Sequence, residues 1–422
     1  MKIRGVTALV AVAAIVVGAC SSSGASTAPS SSVAASTAPT TAASAAASAA
    51  ASAAASVPAG PTSVGPGEGQ LNLVAWAGYV VGGTGGEQVT GYDWVTPFET
   101  ATGCKVNVKV GLDSGNMVQL MKTGQYDGVS ASGDATLRLI AGGDVAPVNF
   151  DLIPNYKDVF SGLKNQSYNT VNGVGYGVPH GRGANVLMYD PTGVKTVPDS
   201  WSGVFDANSP YKGKVTAYNY LIYIADAALY LMKTQPSLNI TNPYALDKDQ
   251  LAAAVALLKV QKTLIGKYWG TAQEEIDGFA NGDMAIGTAW LYQQNTINAA
   301  GGKQVASVTP KEGATGWSDT WMISAQAKHP NCMYKWMDYI ISPKANADVT
   351  VYFGEAPVSA AACVEAEKQQ KGFCDQFHAA DETYFKNIWY WNTPTATCLD
   401  GRGDICTDID AWTKAWTEIT GS

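Results

Sequence analysis

The sequence predicts an α/β fold arranged as two lobes, and three observations support this prediction. From Leu71 onward, short apolar segments typical of strands alternate with segments of helical periodicity. The chain from about Gly69 to Ser422 is longer than a single hydrophobic core usually supports. The alternation also restarts near Val186, so the second half is again α/β.

The first half follows a regular order of elements. Gly103 ends the first helix, and the alternation in KVNVKV marks the second strand. This order favours mostly parallel strands. The predicted elements are a strand at 71–75, a helix at 94–101, strands at 105–110 and 128–131, and helices at 117–122 and 135–141.

In the second half, the clearest helix begins after Asp247. Apolar residues recur at helical spacing from Leu251 to Leu264, and Asp247 or Asp249 can cap the start. The other predicted α/β segments lie at 186–189, 201–205, 213–217 and 221–233.

The amino-terminal residues carry an export signal. Lys2 and Arg4 precede an apolar run at 5–17 that is too short to span a bilayer. The small residues before Cys20 resemble the lipobox of bacterial lipoproteins, which implies a signal peptide at 1–19 and a diacylglycerol on Cys20. A plain secretory signal with a chance cysteine is the alternative.

A tether is predicted to follow the lipidated cysteine. Residues 21–65 are Ser, Ala, Thr, Pro, Val and Gly without a charged residue, so they cannot build a core. We therefore assign 20–69 to the lipidated cysteine and a disordered tether. The protein is expected outside the cytoplasm, anchored to the cell membrane in the periplasm or on the outer face of the cytoplasmic membrane.

Composition excludes several classes of function. The net charge of -8 without Lys/Arg clusters argues against nucleic acid and weakly favours a cationic partner. An enzyme would need a nucleophile with a base, a metal cluster or paired acids, and the sequence offers neither GxSxG nor metal-ligand spacing. The glycine-rich loop at 82–86 lacks the P-loop ending. We expect no enzyme activity, no cofactor and no metal.

Six cysteines remain beside Cys20, an even number in a compartment that permits oxidation. We interpret them as structural, although sequence alone leaves the pairing open. Spacing favours the pairs Cys363–Cys374 and Cys398–Cys406, which leave Cys104–Cys332.

An ordered series of segments resembles one family across nearly all of residues 70–420. Trp76 and Tyr79 follow the opening strand, as in that family. The other matching segments are FETATGCKV (98–106), YDGVSASGD (126–134), APVNFDLIPNY (146–156), YGVP (176–179), SWSGVFD (200–206), YKGKV (211–215), FANGDMAIGTAW (279–290), PKEGATGWSDTWMI (310–323) and WYWNTP (389–394). The family is the solute-binding proteins of ABC importers, in the spermidine/putrescine-binding branch.

The resemblance implies a periplasmic-binding-protein-like fold, with a ligand cleft between two lobes joined by a hinge. Closure of the lobes on a small amine would present a closed shape to a membrane permease. The family pattern maps the first lobe to 70–182 plus 319–356 and the second to 183–318 plus 357–422. We expect a monomer.

The resemblance also implies the binding residues. Trp76, Tyr79, Trp290 and Trp317 fall on aromatic sites of the family, and Asp319 falls on the carboxylate that meets an amino group. Aromatic faces and a carboxylate are what a polyamine needs. Without the resemblance, Trp76 and Tyr79 would be taken as core residues and Asp319 as a turn residue.

Several positions depart from the polyamine pattern. An acid of the family is replaced by Gly78, and an Asp and a Glu of the second lobe align with Tyr220 and Tyr223. Two cleft tyrosines align with Ser132 and with Glu355, a possible replacement acid. Only one acidic contact is clearly retained.

Arg182, at the proposed lobe crossing, suggests a different solute. If it faced the cleft, it would suit a carboxylate and, with Asp319, a zwitterion of the γ-aminobutyrate type. A hinge or surface arginine is the alternative. A quaternary ammonium such as a betaine would rely on the aromatic walls instead.

A surface adhesin or carbohydrate-binding lipoprotein is the rival class. A lipid anchor, a long tether and many aromatic residues suit it, and residues 402–404 spell Arg-Gly-Asp. We interpret this tripeptide as a chance occurrence in a loop closed by Cys398 and Cys406.

Overall fold

The structure, a computed structural model, describes residues 61–421. Cys20, the predicted signal peptide and most of the predicted tether lie outside the described residues. Within them, the strands in chain order are β1 (Gln70–Ala75), β2 (Lys105–Val110), β3 (Gly128–Ala131), β4 (Thr170–Val171), β5 (Val174–Gly175), β6 (Val178–Pro179), β7 (Gly183–Ala184), β8 (Val186–Tyr189), β9 (Val215–Tyr218), β10 (Ile265–Trp269), β11 (Ile286–Ala289), β12 (Ala306–Val308), β13 (Ala314–Trp317), β14 (Thr320–Ile323) and β15 (Ile388–Tyr390).

Helices cover the sheets and connect most of the strands. They are α1 (Val95–Thr102), α2 (Ser114–Lys122), α3 (Gly133–Ala141), α4 (Ser202–Phe205), α5 (Ile224–Thr234), α6 (Lys248–Lys262), α7 (Ala272–Asn281), α8 (Leu291–Ala299), α9 (Pro330–Ile340), α10 (Pro343–Phe353), α11 (Ala360–Gln369), α12 (Phe373–Gln376), α13 (Glu382–Phe385) and α14 (Ile409–Thr420). Short 3-10 helices are Phe150–Leu152, Pro154–Asp158, Ser161–Leu163, Leu221–Tyr223 and Pro236–Leu238.

The strands and helices predicted for the first half are confirmed with small shifts at their ends. The start of α6 is also confirmed, because the side chain of Asp247 accepts hydrogen bonds from the N–H groups of Asp249 and Gln250. The helix predicted at 221–233 begins later, since a 3-10 turn at Leu221–Tyr223 precedes α5.

Two five-stranded sheets form the framework of the two-lobe α/β fold. The first sheet has the order β2-β1-β3-β14-β6, and the second has the order β10-β9-β11-β8-β12. In the first, β1 is parallel to β2 and β3, whereas β14 is antiparallel to both of its neighbours. In the second, β9 is parallel to β10 and β11, whereas β8 is antiparallel to both of its neighbours. The expectation of mostly parallel strands is therefore wrong, because β8 and β14 enter their sheets directly from crossing segments and not through helical crossovers.

A small sheet lies where the chain passes between the two larger ones. Its order is β15-β13-β7. One segment runs from β6 in the first sheet through β7 to β8 in the second. Another leads from β13 directly to β14 in the first sheet. A backbone bridge between Arg182 and Ala356 joins a third segment to the first.

The first sheet is buried on both faces, which explains the apolar character of β1. Leu71 and Leu73 pack in the main core with Phe98 of α1. Val74 points to the other side, where it meets Met117 of α2 and Leu139 of α3. Alternate residues of one strand therefore serve two layers.

Three disulfides link the cysteines in the pairs that spacing favoured: Cys104–Cys332, Cys363–Cys374 and Cys398–Cys406. The first joins the chain before β2 to α9 of the same lobe. Among residues 61–421, none of the helices combines the length and apolar character needed to cross a bilayer.

The described part of the predicted tether, residues 61–69, is ordered, which corrects the expectation of disorder there. The Glu68 carboxylate accepts hydrogen bonds from the N–H groups of Asn331 and Cys332 at the start of α9. Gly65 donates its N–H to the Asn331 side chain, and Asn149 donates to the Pro61 carbonyl. Residues 61–69 are thus attached to the first lobe, because a carboxylate satisfies the free N–H groups of a helix start.

Candidate functional site

Three predicted binding residues meet at one edge of the first sheet. Trp76 directly follows β1, and Ser132 directly follows β3. Because β1 and β3 are parallel, their carboxyl ends lie at the same edge. Asp319 precedes β14, which is antiparallel to β3 with Thr320 opposite Ala131, so it reaches that edge as well. This is the edge at which open α/β sheets bind ligands.

The second sheet presents its own carboxyl edge to the same space. Tyr218 ends β9, the segment at 270–273 leads from β10 into the start of α7, and Trp290 follows β11. These three strands run parallel. The small sheet adds Trp317 at the end of β13 and Trp391 just after β15, which are also parallel.

A cavity of about 350 Å³ lies between these edges. Asp319 is the one charged residue among the described residues that line it. Ser132, Thr271 and Gln273 add polar side chains, and the last two are exposed at the mouth. Eight aromatic residues line the rest: Trp76, Tyr79, Tyr218, Trp290, Tyr292, Trp317, Phe353 and Trp391.

Six of these rings form a continuous aromatic wall. Their contacts run in the order Trp391, Tyr218, Trp290, Trp317, Phe353 and Tyr79. Centroid distances lie between 4.9 Å for Tyr79–Phe353 and 6.4 Å for Trp290–Trp317. Such a wall offers negative ring faces, which attract cations and the methylene groups bonded to them.

Asp319 lies at the Tyr79 end of the aromatic wall. Ser132 donates to Oδ1 at 2.5 Å, and the Tyr79 hydroxyl donates to Oδ2 at 2.9 Å. Burial raises the pKa of Asp319 to about 7, and the neighbouring Glu355 carboxylate acts in the same direction. A carboxylate held this way lacks a countercharge in the cavity, which a cationic ligand would supply.

Behind Tyr79 a second buried acid is linked to the hinge. Oε2 of Glu355 lies 3.4 Å from the Tyr79 hydroxyl, and Oε1 lies 3.3 Å from Nε2 of His180. Trp321 donates its indole N–H to Nδ1 of His180. Because an indole N–H only donates, Nδ1 must accept, and the imidazole proton is on Nε2, facing Glu355. His180, Asp319 and Glu355 each lie on a different crossing segment.

Six of the ten predicted binding residues line the cavity: Trp76, Tyr79, Ser132, Trp290, Trp317 and Asp319. Glu355 is buried behind Tyr79 and lies outside the lining. Tyr220 lies beside Tyr218, with ring centroids 6.1 Å apart, and is also outside it.

The predicted roles of Tyr223 and Arg182 in the cleft are not supported by their positions. Tyr223 belongs to the 3-10 turn before α5, and this turn directs it into the core of its lobe, where its hydroxyl accepts a hydrogen bond from Gln261. Arg182 is buried and pairs with Glu382 at 3.0 Å, with its guanidinium 3.5 Å from the centre of the Phe385 ring. It lines a different cavity of about 260 Å³, so it cannot serve as the carboxylate partner of a zwitterion in the cleft.

Sequence reasoning missed Tyr218, Tyr292, Phe353 and Trp391. Tyr218 and Trp391 carry a usable signal, since each is an aromatic residue at the carboxyl end of a strand. The family pattern pointed to Tyr220 and Tyr223 in the second lobe, whereas Tyr218 lines the cavity there. Phe353 and Tyr292 come from helix ends and give no such signal.

The Arg402 and Asp404 side chains of the Arg-Gly-Asp tripeptide form contacts within the protein. Arg402 pairs with Asp400 at 2.9 Å and with Asp247 at 3.3 Å. Thr397 donates to the Asp404 carboxylate at 2.5 Å. The Arg402 and Asp404 side chains therefore have partners within the protein and help to hold the loop at 398–406.

Comparisons with known proteins identify the family and related folds. The family model described as bacterial extracellular solute-binding protein matches residues 93–372. A putrescine/agmatine-binding protein of Pseudomonas aeruginosa is 25% identical over 286 residues, covering 62% of this chain and 75% of the relative.

Solved structures are similar in fold. A spermidine/putrescine ABC transporter protein of Listeria monocytogenes has a TM-score of 0.66 at 17% identity, covering 83% of this chain and 99% of its own. A lipoprotein of Treponema pallidum has a TM-score of 0.61 at 17% identity, with 83% and 99% covered.

Proposed function

The chain belongs to the family of bacterial extracellular solute-binding proteins, and on this basis we propose that it captures a small amine by closure of its two lobes and delivers it to the permease of an ABC importer. The family consists of extracytoplasmic binding proteins and not of enzymes. The relatives named for putrescine and agmatine make polyamines the first solutes to test.

The observation that carries this proposal is the buried Asp319 at the end of the aromatic wall. A carboxylate attracts an ammonium group, and ring faces attract both the charge and the methylene chain. The first sheet contributes Asp319, whereas the second contributes Trp290, so a ligand that touches both holds the lobes together. Closure would follow from these simultaneous contacts.

We assign the first lobe to 70–182 plus 319–356 and the second to 183–318 plus 357–422. The membership of the strands in the two large sheets supports these bounds. The permease would recognise the closed arrangement of the lobes, with the protein acting as a monomer.

We further propose that Cys20 is lipidated and keeps the protein at the membrane. The small residues before Cys20 and the uncharged tract after it support this. A protein of similar fold from Treponema pallidum is itself described as a lipoprotein. Diacylglycerol supplies two acyl chains, which anchor a protein stably where one does not.

Titration of tryptophan fluorescence tests the proposed function. Putrescine, spermidine, γ-aminobutyrate and a betaine are added to the purified protein, and we expect at least one to change the emission, because four tryptophans line the cavity. Asp319→Asn should weaken that binding by roughly a hundredfold or more, since it removes the one cavity carboxylate while keeping its shape.

The matched control is Asp151→Asn, which changes an exposed acid in the same way. It should leave the affinity unchanged. Equal affinity of the Asp319→Asn variant and the wild type would refute the site, and failure of this panel and of simple monoamines to bind would refute the amine proposal.

A further inference from the structure

The cavity has one fixed site for charge, and this restricts the solute. Of the described residues that line it, Asp319 alone is charged. Glu355, the acid behind Tyr79, is fully buried and separated from the cavity by the Tyr79 hydroxyl. Positions 220 and 223, where the family pattern has acids, are tyrosines outside the lining.

The Asp319 end suits a primary ammonium group. Such a group has three N–H donors that need acceptors. Both oxygens of Asp319 retain lone pairs after accepting from Ser132 and Tyr79. The hydroxyl oxygens of Ser132 and Tyr79, whose own protons point to Asp319, can accept as well. One ammonium head is therefore matched by these three side chains.

The rest of the cavity suits an uncharged chain. A second ammonium group would lie against the aromatic wall or near Thr271 and Gln273, where none of the described lining residues supplies a carboxylate. The acids just outside the lining are engaged there, since Glu274 accepts from the N–H groups of Gly270 and Thr271 and Asp277 accepts from Gln273. A ligand carboxylate would also lack a partner of opposite charge, because Arg182 is paired with Glu382 at a different cavity. The hydroxyl and amide groups at the mouth can instead form hydrogen bonds with a neutral polar end.

We propose that the cleft selects solutes with a single cationic amine head and an uncharged chain over diamines and zwitterions of the same length. The proposal rests on the proposed function and narrows its class of solute. Amino alcohols and alkylamines belong to the selected class, and putrescine does not.

Three ligands of equal chain length test this selection. 4-Aminobutan-1-ol, putrescine and γ-aminobutyrate share a four-carbon chain and one amino end, and they differ only in the hydroxyl, ammonium or carboxylate at the other end. Isothermal titration at pH 8, where Asp319 is ionised, should give 4-aminobutan-1-ol at least a tenfold higher affinity than either of the others.

A variant pair tests the physical reason. Leu112 lines the mouth and is 71% exposed, so Leu112→Asp adds a carboxylate there without disturbing the core. Leu112→Asn is its neutral isostere. We expect Leu112→Asp to bind putrescine roughly tenfold more tightly than Leu112→Asn, while both bind 4-aminobutan-1-ol alike.

The outcomes separate this proposal from the proposed function. If putrescine or γ-aminobutyrate binds as tightly as the amino alcohol, selection for a single charge is refuted, whereas amine capture stands. If putrescine binds Leu112→Asp no more tightly than Leu112→Asn, the lack of a second acid is refuted as the cause of the selection. If neither these ligands nor the polyamine panel binds, both proposals fall.

Discussion

The hydroxyl group of Tyr79 lies between two carboxylates, those of Asp319 and Glu355. Its proton points to Asp319, while Glu355 lies on its other side at 3.4 Å. The hydroxyl proton can bond to only one of these two acceptors at a time. The neighbouring Glu355 carboxylate also raises the pKa of Asp319. The charged and titratable groups around Asp319 include Glu355, Tyr79, His180, Tyr168 and Tyr218, and the geometry places the His180 proton toward Glu355.

This arrangement makes binding of an amine dependent on pH. The pKa of Asp319 is raised to about 7, so at lower pH the carboxyl is neutral and attracts a cation poorly. Affinity should fall about tenfold per pH unit below 7 and level off above it. Fluorescence titrations between pH 5.5 and 8.5 measure this, and calorimetry in two buffers of different ionisation enthalpy should detect proton release on binding.

Glu355→Gln is the informative variant for this dependence. It removes a charge that raises the pKa of Asp319, so the midpoint should move to lower pH. A flat affinity across the range, or an unchanged midpoint in Glu355→Gln, would contradict the proposed coupling.

At the scale of elements, a buried chain of hydrogen bonds fixes part of the aromatic wall. The Trp290 indole donates to Asn185 at 3.0 Å, Asn185 donates to Thr315 at 2.6 Å, and Thr315 donates to Asp226 at 2.9 Å. The chain connects the start of α8 to the residue before β8, to β13 and to α5. A wall residue is thereby tied to the small sheet at the lobe crossing.

The buried Asp226 at the end of this chain of hydrogen bonds makes the free energy of unfolding depend on pH. Burial raises its pKa to about 7 from 3.8. The folded protein therefore binds more protons than the unfolded chain between about pH 4 and 7, and the free energy of unfolding falls as pH rises. For this one group the fall from pH 5 to pH 8 is about 2 to 3 kcal/mol.

Asp226→Asn keeps the acceptor for Thr315 and removes the ionisation. Its loss of stability between pH 5 and pH 8 should be smaller than that of the wild type by the same amount. Urea unfolding at both pH values checks this, with exposed Asp158→Asn as the control. Parallel pH profiles for Asp226→Asn and the wild type would rule out a buried ionisable Asp226.

Across the whole molecule, one disulfide closes a far longer loop than the others. Cys104 and Cys332 are 228 residues apart, whereas Cys398 and Cys406 are 8 apart. The long crosslink removes more conformational entropy from the unfolded chain. It also lies beside Glu68, where the chain from the predicted anchor joins the first lobe.

Replacing both cysteines of each pair by serine tests this comparison. Loss of Cys104–Cys332 should lower the free energy of unfolding by about 2 to 3 kcal/mol more than loss of Cys398–Cys406. Both pairs are largely buried, so the cost of placing serine there is similar. Denaturant unfolding measures the difference, and an equal or reversed order would contradict the entropic explanation.

Local patterns in the sequence determined the elements, whereas the resemblance to a known family supplied part of the site. Strand and helix periodicity predicted β1, β2, β3 and β8 with small errors, because each alternation reflects burial of that segment alone. Residues next to these strands, such as Trp76 and Ser132, were assigned to the site by the resemblance to the family and not by periodicity. The cysteine spacing likewise favoured the three pairs that the structure contains.

Only the tertiary structure decided which side chains share the cavity. The carboxyl edges of two sheets must face each other before Asp319 and Trp290 belong to one site, and no local pattern encodes that distance. The same holds for Arg182, whose partner Glu382 is 200 residues away, and for Glu355 behind Tyr79. Sequence periodicity records whether a residue is buried, whereas the choice of partner depends on how distant segments pack.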